Sequence, residues 1–527
     1  MRIYVRVRVL GTRNLAVFRD ARRWASTNAK DSYEGLKCGV EIHSQLDTKT
    51  KLFSNSRTSF QATPNDHVSY FDLALPGSQP ILNKHAVLSA SKAATALNCK
   101  IHRRSMFDRK HYFYADQPAG YQITQYYHAI ASDGVLWLQR RDGISSRDKL
   151  GIRITQLQIE QDTGKSVYEI DSDKTYIDFN RTNHPLIEIV TAPDMKTPQE
   201  AAAFVHKLQI LMKHLGVSTG EFQSGAIRVD VNVSTNGGKR CEIKNLASIN
   251  DIIYSIRAEY SRQLNQVSEG RAIESVTLGW DGHNISVQRE KEGSLEYRYI
   301  PDPELPPLLL SEDIIRKTRE NQPKLPDELI DESTAAPHSS NLANAQTSSS
   351  YGLVDYYYGI YKILEEADIK GKNAANWIIN DISGIVPVGE EKLLPSVVTP
   401  SRLADSIIAQ KQKTITISTV SEIIAMNVIK YFLQNQGDHR ATAEVIDQYQ
   451  LTAMGDSNIS EAICSNVLEE HSDLVESVVS GKKPSAIKFF IGMVMKNGKG
   501  RFNPQDSEAT LKRILTEQHP EYANSQK

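Results

Sequence analysis

The chain is poor in cysteine. Its four cysteines, Cys38, Cys99, Cys241 and Cys464, are scattered over 527 residues and form no C-x-x-C pair. That spacing excludes a cysteine-built zinc module and a disulfide framework, and it points to reduced thiols in a cytosol or organelle matrix. Long hydrophobic runs are missing too: no stretch approaches the ~18–20 apolar residues of a membrane span. Neither sign of charge is in excess, with 62 Lys and Arg against 63 Asp and Glu and a net charge of −1. Nucleic acid would therefore have to meet local basic patches rather than the field of the whole chain. Familiar nucleotide loops are lacking as well. There is no G-x-G-x-x-G and no protein-kinase catalytic set. The stretch DTGKS, Asp162–Ser166, looks like the end of a phosphate loop, but the leading glycine would have to fall at Ile159. Any ATP chemistry must use another scaffold.

What is present suits a globular protein. Hydrophobic residues make up 40% of the chain and charged residues 24%, and the length predicts roughly two to four domains. The first thirty residues differ from the rest, holding seven arginines and one lysine against a single acid, Asp20. An Arg-rich, acid-poor, apolar-interleaved start predicts a mitochondrial transit peptide over 1–30, ending between about Ala25 and Asp31. A basic RNA-binding arm is the alternative.

From about 35 to 310, alternating segments dominate: KCGVEIHSQL, GVLWLQRR, RITQLQIEQ, PLIEIV, AIRVDVNVS and SVTLGW. The clearest helix in this region is TPQEAAAFVHKLQILMKHLG. Thr197 caps it, Pro198 suits its first position, Glu200 completes a capping box and Gly216 stops it. Phe204, Leu208, Leu211, Met212 and Leu215 form its apolar stripe. Strands outnumber strand–helix–strand units, so the expected class is α+β on an antiparallel sheet. The proline-dense IPDPELPPLLL, Ile300–Leu310, marks an expected domain edge. The segment 333–352 reads as a flexible insertion, and from about Leu353 the spacing is helical.

In VEIHSQL, Val40–Leu46, strand alternation puts Glu41, His43 and Gln45 on one face and Val40, Ile42, Ser44 and Leu46 on the other. In AIRVDVNVS, Arg228, Asp230, Asn232 and Ser234 share a face. In PLIEIV, Glu188 stands between apolar neighbours, where a buried carboxylate needs a metal or a cation. Glu160 and Gln161 end another strand on opposite faces. Glutamate and histidine with hard-oxygen neighbours suit Mg²⁺ sharing carboxylates with phosphates, although polar rows on strands most often face solvent. The segment Phe107–Tyr127 is dense in bases and aromatics. Arg109 and Lys110 are placed to meet phosphates, whereas Tyr112, Tyr114 and Tyr121 read as core more than as base-stacking surface.

Several motifs then occur together in order: GLKCGVEIHSQLDTKTKLF, LALPGSQPILNKHAV, FDRKHYFYADQPAGYQITQY, IEQDTGKS, NHPLIEIVTAPD, GAIRVDVNVS, CEIKNLASI and YRYIPDPELPPL. They span most of 35–310 and resemble the B-subunit family of glutamyl-tRNA(Gln) amidotransferases, the GatB/GatE family. The later GMVMKNGKGRFNP resembles the same family's tRNA-binding tail. The resemblance implies a glutamine synthetase-like catalytic cradle over 31–310, a linker and helical domain over 311–440, and a YqeY-like helical tail over 441–527. It implies a ligase that phosphorylates tRNA-bound glutamate with ATP and amidates it with ammonia from a partner amidase (A-type) subunit. A small third subunit (C-type or its fungal equivalent), Glu-tRNA(Gln), Mg²⁺ and the mitochondrial matrix complete that expectation; a zinc ion and a membrane span do not belong to it. By the same resemblance Glu41, His43, Glu188 and Glu160 serve the metal, directly or through water. Arg228 and Lys110 meet phosphate, and Asp230 binds a second ion or orients a water. Lys496, Lys499 and Arg501 meet RNA. Bacterial members commonly read EED where this chain reads EQD, so Gln161 removes one negative charge. Some relatives carry a cysteine cluster between the first two motifs, where SNSRTSFQATPNDHVSYFD has none. Two rival readings stand beside this one: a non-catalytic tRNA-binding scaffold subunit, and an unrelated Mg²⁺/ATP ligase.

Overall fold

The computed structural model describes residues 33–335, apart from 146, 170–173, 236–237 and 291–296, and beyond them chiefly 353–369, 394–411, 442–448, 457–480, 483–498 and 504–520. The arginine-rich 1–30 lies outside the described residues. So does most of 333–352, whose first two residues close the helix Pro326–Thr334. The chain divides into two compact units after Leu325.

In the first unit a nine-stranded sheet is the frame. Its strands are β1 (Leu36–Gln45), β2 (Lys100–Ile101), β3 (Ala131–Gln139), β4 (Lys149–Gln161), β5 (Pro185–Thr191), β6 (Ile227–Thr235), β7 (Cys241–Leu246), β8 (Val276–Trp280) and β9 (Ile285–Glu290). They lie in the order β9-β8-β7-β6-β1-β5-β4-β3-β2. Neighbours are antiparallel except β7 and β8, which run parallel. A parallel pair needs a long crossover, and the helix Ile249–Ser268 supplies it. The α+β expectation therefore holds, with one parallel step inside an antiparallel-rich sheet.

Alternation decides which face is covered. Leu36, Cys38, Val40 and Ile42 of β1 join the buried cluster that also holds Phe204, Leu208, Ile252 and Ile256. Those residues come from α2 (Pro198–His214) and α3 (Ile249–Ser268); α1 (Lys84–Ala96) adds Ala86, Ala90 and Ala94. Helices thus cover one face of the sheet, leaving the row through Glu41, His43 and Gln45 on the other.

α2 follows the sequence reading with one correction. Thr197 Oγ1 accepts from Glu200 N at 3.2 Å, Pro198 opens the helix, and Gly216 at φ +63° follows its end. The expected reciprocal bond to the Thr197 amide is replaced: Glu200 Oε2 accepts from Lys196 N, one residue earlier, at 2.6 Å. On this helix burial, aided by Lys213, pushes the His206 imidazole down to about 4. Its folded value lies below the unfolded ~6.5, so its contribution is intact above pH ~6.5 and is lost as pH falls towards 4. His206→Gln is expected to flatten the acid limb of a stability–pH curve in that window by at most about 3 kcal/mol. Urea titrations at pH 7 and pH 4.5 measure it.

The expected edge at the proline-rich segment lies inside this unit. Ile300–Pro301 pairs with the strand Asp108–His111, and Leu308–Leu309 pairs with Arg104–Ser105. Proline is tolerated here because these are two-residue edge pairings that need few amide donors. Arg109 Nε donates to Asp302 Oδ2 at 2.6 Å, tying the segment down. Asp108–His111, Tyr121–Thr124 and Ile300–Pro301 form a small second sheet.

The second unit is helical. One buried cluster gathers Tyr357, Ile360, Leu364, Leu403, Ile407 and Val445, drawing on the helices Val354–Glu366, Pro400–Lys411 and Thr442–Gln448. Another gathers Cys464, Val467, Phe490, Val494, Leu511 and Leu515, from Ser457–Glu470, Ile487–Asn497 and Pro504–Gln518. The first cluster runs past the division expected at 440, because Val445 and Ile446 pack into it.

Candidate active site

Directly opposed residues in antiparallel strands share a face. The registers therefore set polar side chains in rows across the sheet. Glu188 faces His43 on one side and Gln158 on the other, and His43 faces Arg228. The row reads Gln158–Glu188–His43–Arg228 over β4, β5, β1 and β6. The next row along includes Val190, Glu41 and Asp230, and the preceding one includes Glu160, Leu186 and Gln45.

Three of these side chains converge. His43 Nε2 lies 3.5 Å from Glu160 Oε1 and 3.7 Å from Glu188 Oε2. One ligand atom from each of His43, Glu160 and Glu188 falls within 4.8 Å of the others. Glu160 is 1% exposed, and its Oε2 is buried with no hydrogen bond. Its Oε1 accepts from Gln122 Nε2 at 2.8 Å, while Gln158 Nε2 donates to Glu188 Oε2. An orphaned carboxylate oxygen beside a second carboxylate and an imidazole fits a divalent cation, which would relieve both the missing bond and the crowding of charge.

The electrostatics agree. Burial and the neighbouring Glu160 push Glu188 well above the usual carboxylate range. Burial presses Glu160 in the same direction, but the Lys110 charge and the His43 bond win and hold it low. Burial disfavours a charged His43, yet its bond to Glu160 and the charge of Glu188 raise its proton affinity. Lys110 comes from the small second sheet, its Nζ 4.8 Å from the centroid of the Tyr297 ring. Burial would lower it, and the Glu160 and Glu188 carboxylates keep it above the ordinary lysine range.

Other expected site residues stand beside this centre. Glu41 Oε1 accepts from Asn232 Nδ2 at 2.9 Å, one row from His43 and Glu188 and two rows from Glu160. Asp230 Oδ1 accepts from Asn245 N at 2.8 Å, and Lys244 Nζ lies 3.5 Å from its Oδ2. Arg228 Nη2 lies 2.9 Å from Asp162 Oδ1. Gln161, the departure from the EED pattern, is not aligned with Glu160: its Nε2 donates to the Tyr121 carbonyl at 3.4 Å. Gln45 Nε2 donates to Asp162 Oδ2 at 3.2 Å. Lys496 is exposed at the end of Ile487–Asn497, while Lys499 and Arg501 lie outside the described residues.

The core reading of the aromatic segment needs correction. Phe107 is buried, but Phe113 is 78% exposed and Tyr114 and Tyr127 are exposed as well. Tyr121 is half-buried beneath the Arg109 guanidinium, 4.1 Å from its ring centroid. Of these only Tyr121 lies on a strand; Phe113, Tyr114 and Tyr127 lie in the loops beside the strands Asp108–His111 and Tyr121–Thr124, where loop side chains face solvent. Gln158 and Gln122 were missed by sequence reasoning. Period-two spacing in RITQLQIEQ puts Gln158 on the face of Glu160, so that signal was available. Gln122 reaches the site from another sheet, and no local pattern marks it.

Residues 36–316 match the family model described as the GatB/GatE catalytic domain, and residues 361–515 match that of the GatB domain. A Yarrowia lipolytica protein, named as the B subunit of mitochondrial glutamyl-tRNA(Gln) amidotransferase, is 42% identical over 92% of this chain and 95% of its own length. Proteins of the same name from Scheffersomyces stipitis and Debaryomyces hansenii are 40% and 39% identical. They cover 95% and 92% of this chain, and 99% and 94% of their own lengths.

Proposed function

The chain belongs to the GatB/GatE family, and from that premise we propose that it is the B-type subunit of a mitochondrial glutamyl-tRNA(Gln) amidotransferase. It forms Gln-tRNA(Gln) from misacylated Glu-tRNA(Gln). The convergence of His43, Glu160 and Glu188 beside Arg228 carries this reading. A γ-carboxylate is a poor electrophile because oxide is a poor leaving group. One of its oxygens attacks the γ-phosphorus of ATP and ADP departs. Ammonia then adds to the acyl carbon, phosphate leaves with the C–O electron pair, and the nitrogen loses a proton to give the amide.

His43, Glu160 and Glu188 would hold Mg²⁺, with Glu41 serving it directly or through water. When bound, Mg²⁺ neutralises phosphate oxygens during phosphoryl transfer. The chain's own side chains do the rest. Arg228 sets a positive charge opposite His43, where charge gathers on the transferring group. Lys110 brings a second cation from the other sheet. Asp230, already partnered by Lys244, orients a water or that lysine rather than holding a bare second ion. An amidase subunit supplies ammonia, and a small third subunit completes the complex. The arginine-rich 1–30 directs import into the matrix.

The deciding experiment is amidation by the purified complex with the amidase partner, given Glu-tRNA(Gln), ATP, Mg²⁺ and ammonium. A well-folded complex that yields no Gln-tRNA(Gln) sinks the catalytic reading in favour of a tRNA-binding scaffold. In the tail, Lys496, Lys488 and Lys483 are exposed and suit phosphate contact. Lys496→Ala is expected to weaken tRNA binding without regard to sequence and to reduce the log–log salt slope by about one. Anisotropy titrations across a salt series test it, and an unchanged slope removes Lys496 from the interface.

A further inference from the structure

The segment DTGKS fails as a phosphate loop, and Gln45 has no role in the metal cluster, yet the two meet at one carboxylate. Asp162 is buried at the end of β4, with 2% of its side chain exposed. Its Oδ1 lies 2.9 Å from Arg228 Nη2 and 3.8 Å from Arg181 Nε. The same oxygen accepts from Thr163 N at 2.9 Å, and Oδ2 accepts from Gln45 Nε2 at 3.2 Å. The loop beneath is clamped. Asp162 N donates to the His184 carbonyl and Asn183 N donates to the Asp162 carbonyl, both at 2.9 Å. Arg181 donates from Nε to the Thr163 carbonyl at 2.9 Å and from Nη2 to the Gly164 carbonyl at 2.6 Å.

Arg228 is the member of this group that reaches the active row. It stands directly opposite His43, with β1 lying between it and Glu188 on β5. Its Nε and Nη2 are both buried and make no hydrogen bond within the protein, so Nη2 meets Asp162 Oδ1 as a close ion pair rather than through an aligned hydrogen bond. A guanidinium held at one end by an ion pair, with buried donors left over beside the His43, Glu160 and Glu188 cluster, is prepared for an anionic oxygen.

We propose that Asp162 is a positioning residue that aims Arg228 at the transferring phosphoryl group, with Gln45 and Arg181 fixing the Asp162 carboxylate in turn. The inference rests on the reading of Arg228 as a phosphate-facing cation. Arginine side chains sample many rotamers, and an ion pair to a clamped, buried carboxylate removes most of them before substrate arrives. The donor is then in place when charge develops, and no reorganisation is needed at that moment. Burial pushes the Asp162 carboxyl up, but Arg228 and Arg181 outweigh it and keep the group ionised. Asparagine at this position retains the size and an acceptor for Thr163 N and loses the charge.

The test uses the assembled complex with Glu-tRNA(Gln), ATP and ammonium, comparing the parent with D162N, R228A and the double variant. D162N is expected to lower kcat about 10- to 100-fold with KM values for ATP and tRNA changed less than about threefold. The double variant is expected to lose no more than R228A alone, because Asp162 acts through Arg228. Added guanidinium ion is expected to restore part of the R228A activity and at least tenfold less of the double variant's. A D162N complex with parental kcat, losses that multiply in the double variant, or equal rescue of both overturns the inference. If D162N does not assemble, Gln45→Met takes its place: a kcat at least about threefold lower supports the inference, and an unchanged kcat overturns it. An R228A complex with parental kcat instead overturns the phosphate role of Arg228 itself.

Discussion

Glu188→Gln is expected to leave the metal-free protein at least as stable as the parent while cutting ATP-dependent amidation by about a hundredfold or more. The two effects run in opposite directions because Glu188 is poorly placed as a carboxylate and well placed as a ligand. It is largely buried, close to Glu160 and under the added negative field of Glu41, and these groups raise its proton affinity. Removing the charge relieves repulsion worth on the order of 1 kcal/mol. The amide oxygen introduced still accepts the bond that Gln158 Nε2 now gives to Glu188. Packing is preserved, because Gln and Glu have nearly the same volume. The loss falls on cation binding, where one of two carboxylates disappears. In EDTA the variant should melt at or above the parent temperature. Adding Mg²⁺ should raise the melting temperature of the parent and leave that of the variant nearly unmoved. Affinity for tRNA should not change. A variant that loses stability, tRNA binding and activity together would make Glu188 a structural residue and remove it from the site. His43→Ala offers the complementary case: it takes a partner from both carboxylates, so stability should fall along with amidation.

Much of this site was legible because β-strands obey a strict period. Glu41, His43 and Gln45 fell on one face of β1, and Arg228, Asp230 and Asn232 on one face of β6, from alternation alone. Glu188 was recognisable as a carboxylate amid Leu186, Ile187, Ile189 and Val190. Strand order and register were not legible. Nothing local says that β5 lies between β1 and β4, yet that order brings Glu160 and Glu188 to His43. Nor did the sequence separate Glu160 from Gln161 as the residue serving the cluster. Strand alternation set them on opposite faces, and only the register with Leu186 and Gln45 shows which face is the active one. Asp162 was hidden for another reason. The glycine and lysine after it invited comparison with a phosphate loop, when its function depends on Arg228, 66 positions away. The proline-rich segment misled because proline density marks any place where ladder donors are not needed. An edge strand satisfies that condition as well as a linker does.

The largest effect on stability is expected at Asp72. This carboxylate is fully buried with Lys51, whose Nζ donates to Asp72 Oδ2 at 2.9 Å and to the Phe179 carbonyl at 3.2 Å. Asp72 Oδ1 also accepts from Ser54 Oγ at 3.0 Å and from Asn183 Nδ2 at 2.8 Å, and Oδ2 accepts from Ser69 N at 2.8 Å. One carboxylate thus joins three stretches of chain: 51–54, 69–72 and the 179–183 approach to β5. Asp72→Ala strands a buried ammonium and three further donors, and about 3–5 kcal/mol should be lost. Burial already pushes the Lys51 ammonium down, with only Asp72 and Asp178 opposing it, so the lysine has no adequate second partner. Lys51→Met should cost less, because Asp72 keeps three donors and the methionine fills much of the lysine's volume. The double variant should cost clearly less than the sum of the two, with a coupling energy of at least about 2 kcal/mol. Denaturant titrations of the four proteins measure that coupling. Additive losses would mean the pair is a packing contact rather than a charge network. The buried lysine and aspartate perform this cross-linking within the fold that presents Glu188, since Asn183 stands only two residues before β5. Loss of Asp72 should therefore lower amidation only as far as it lowers the folded fraction, and activity per folded molecule should stay near the parent value.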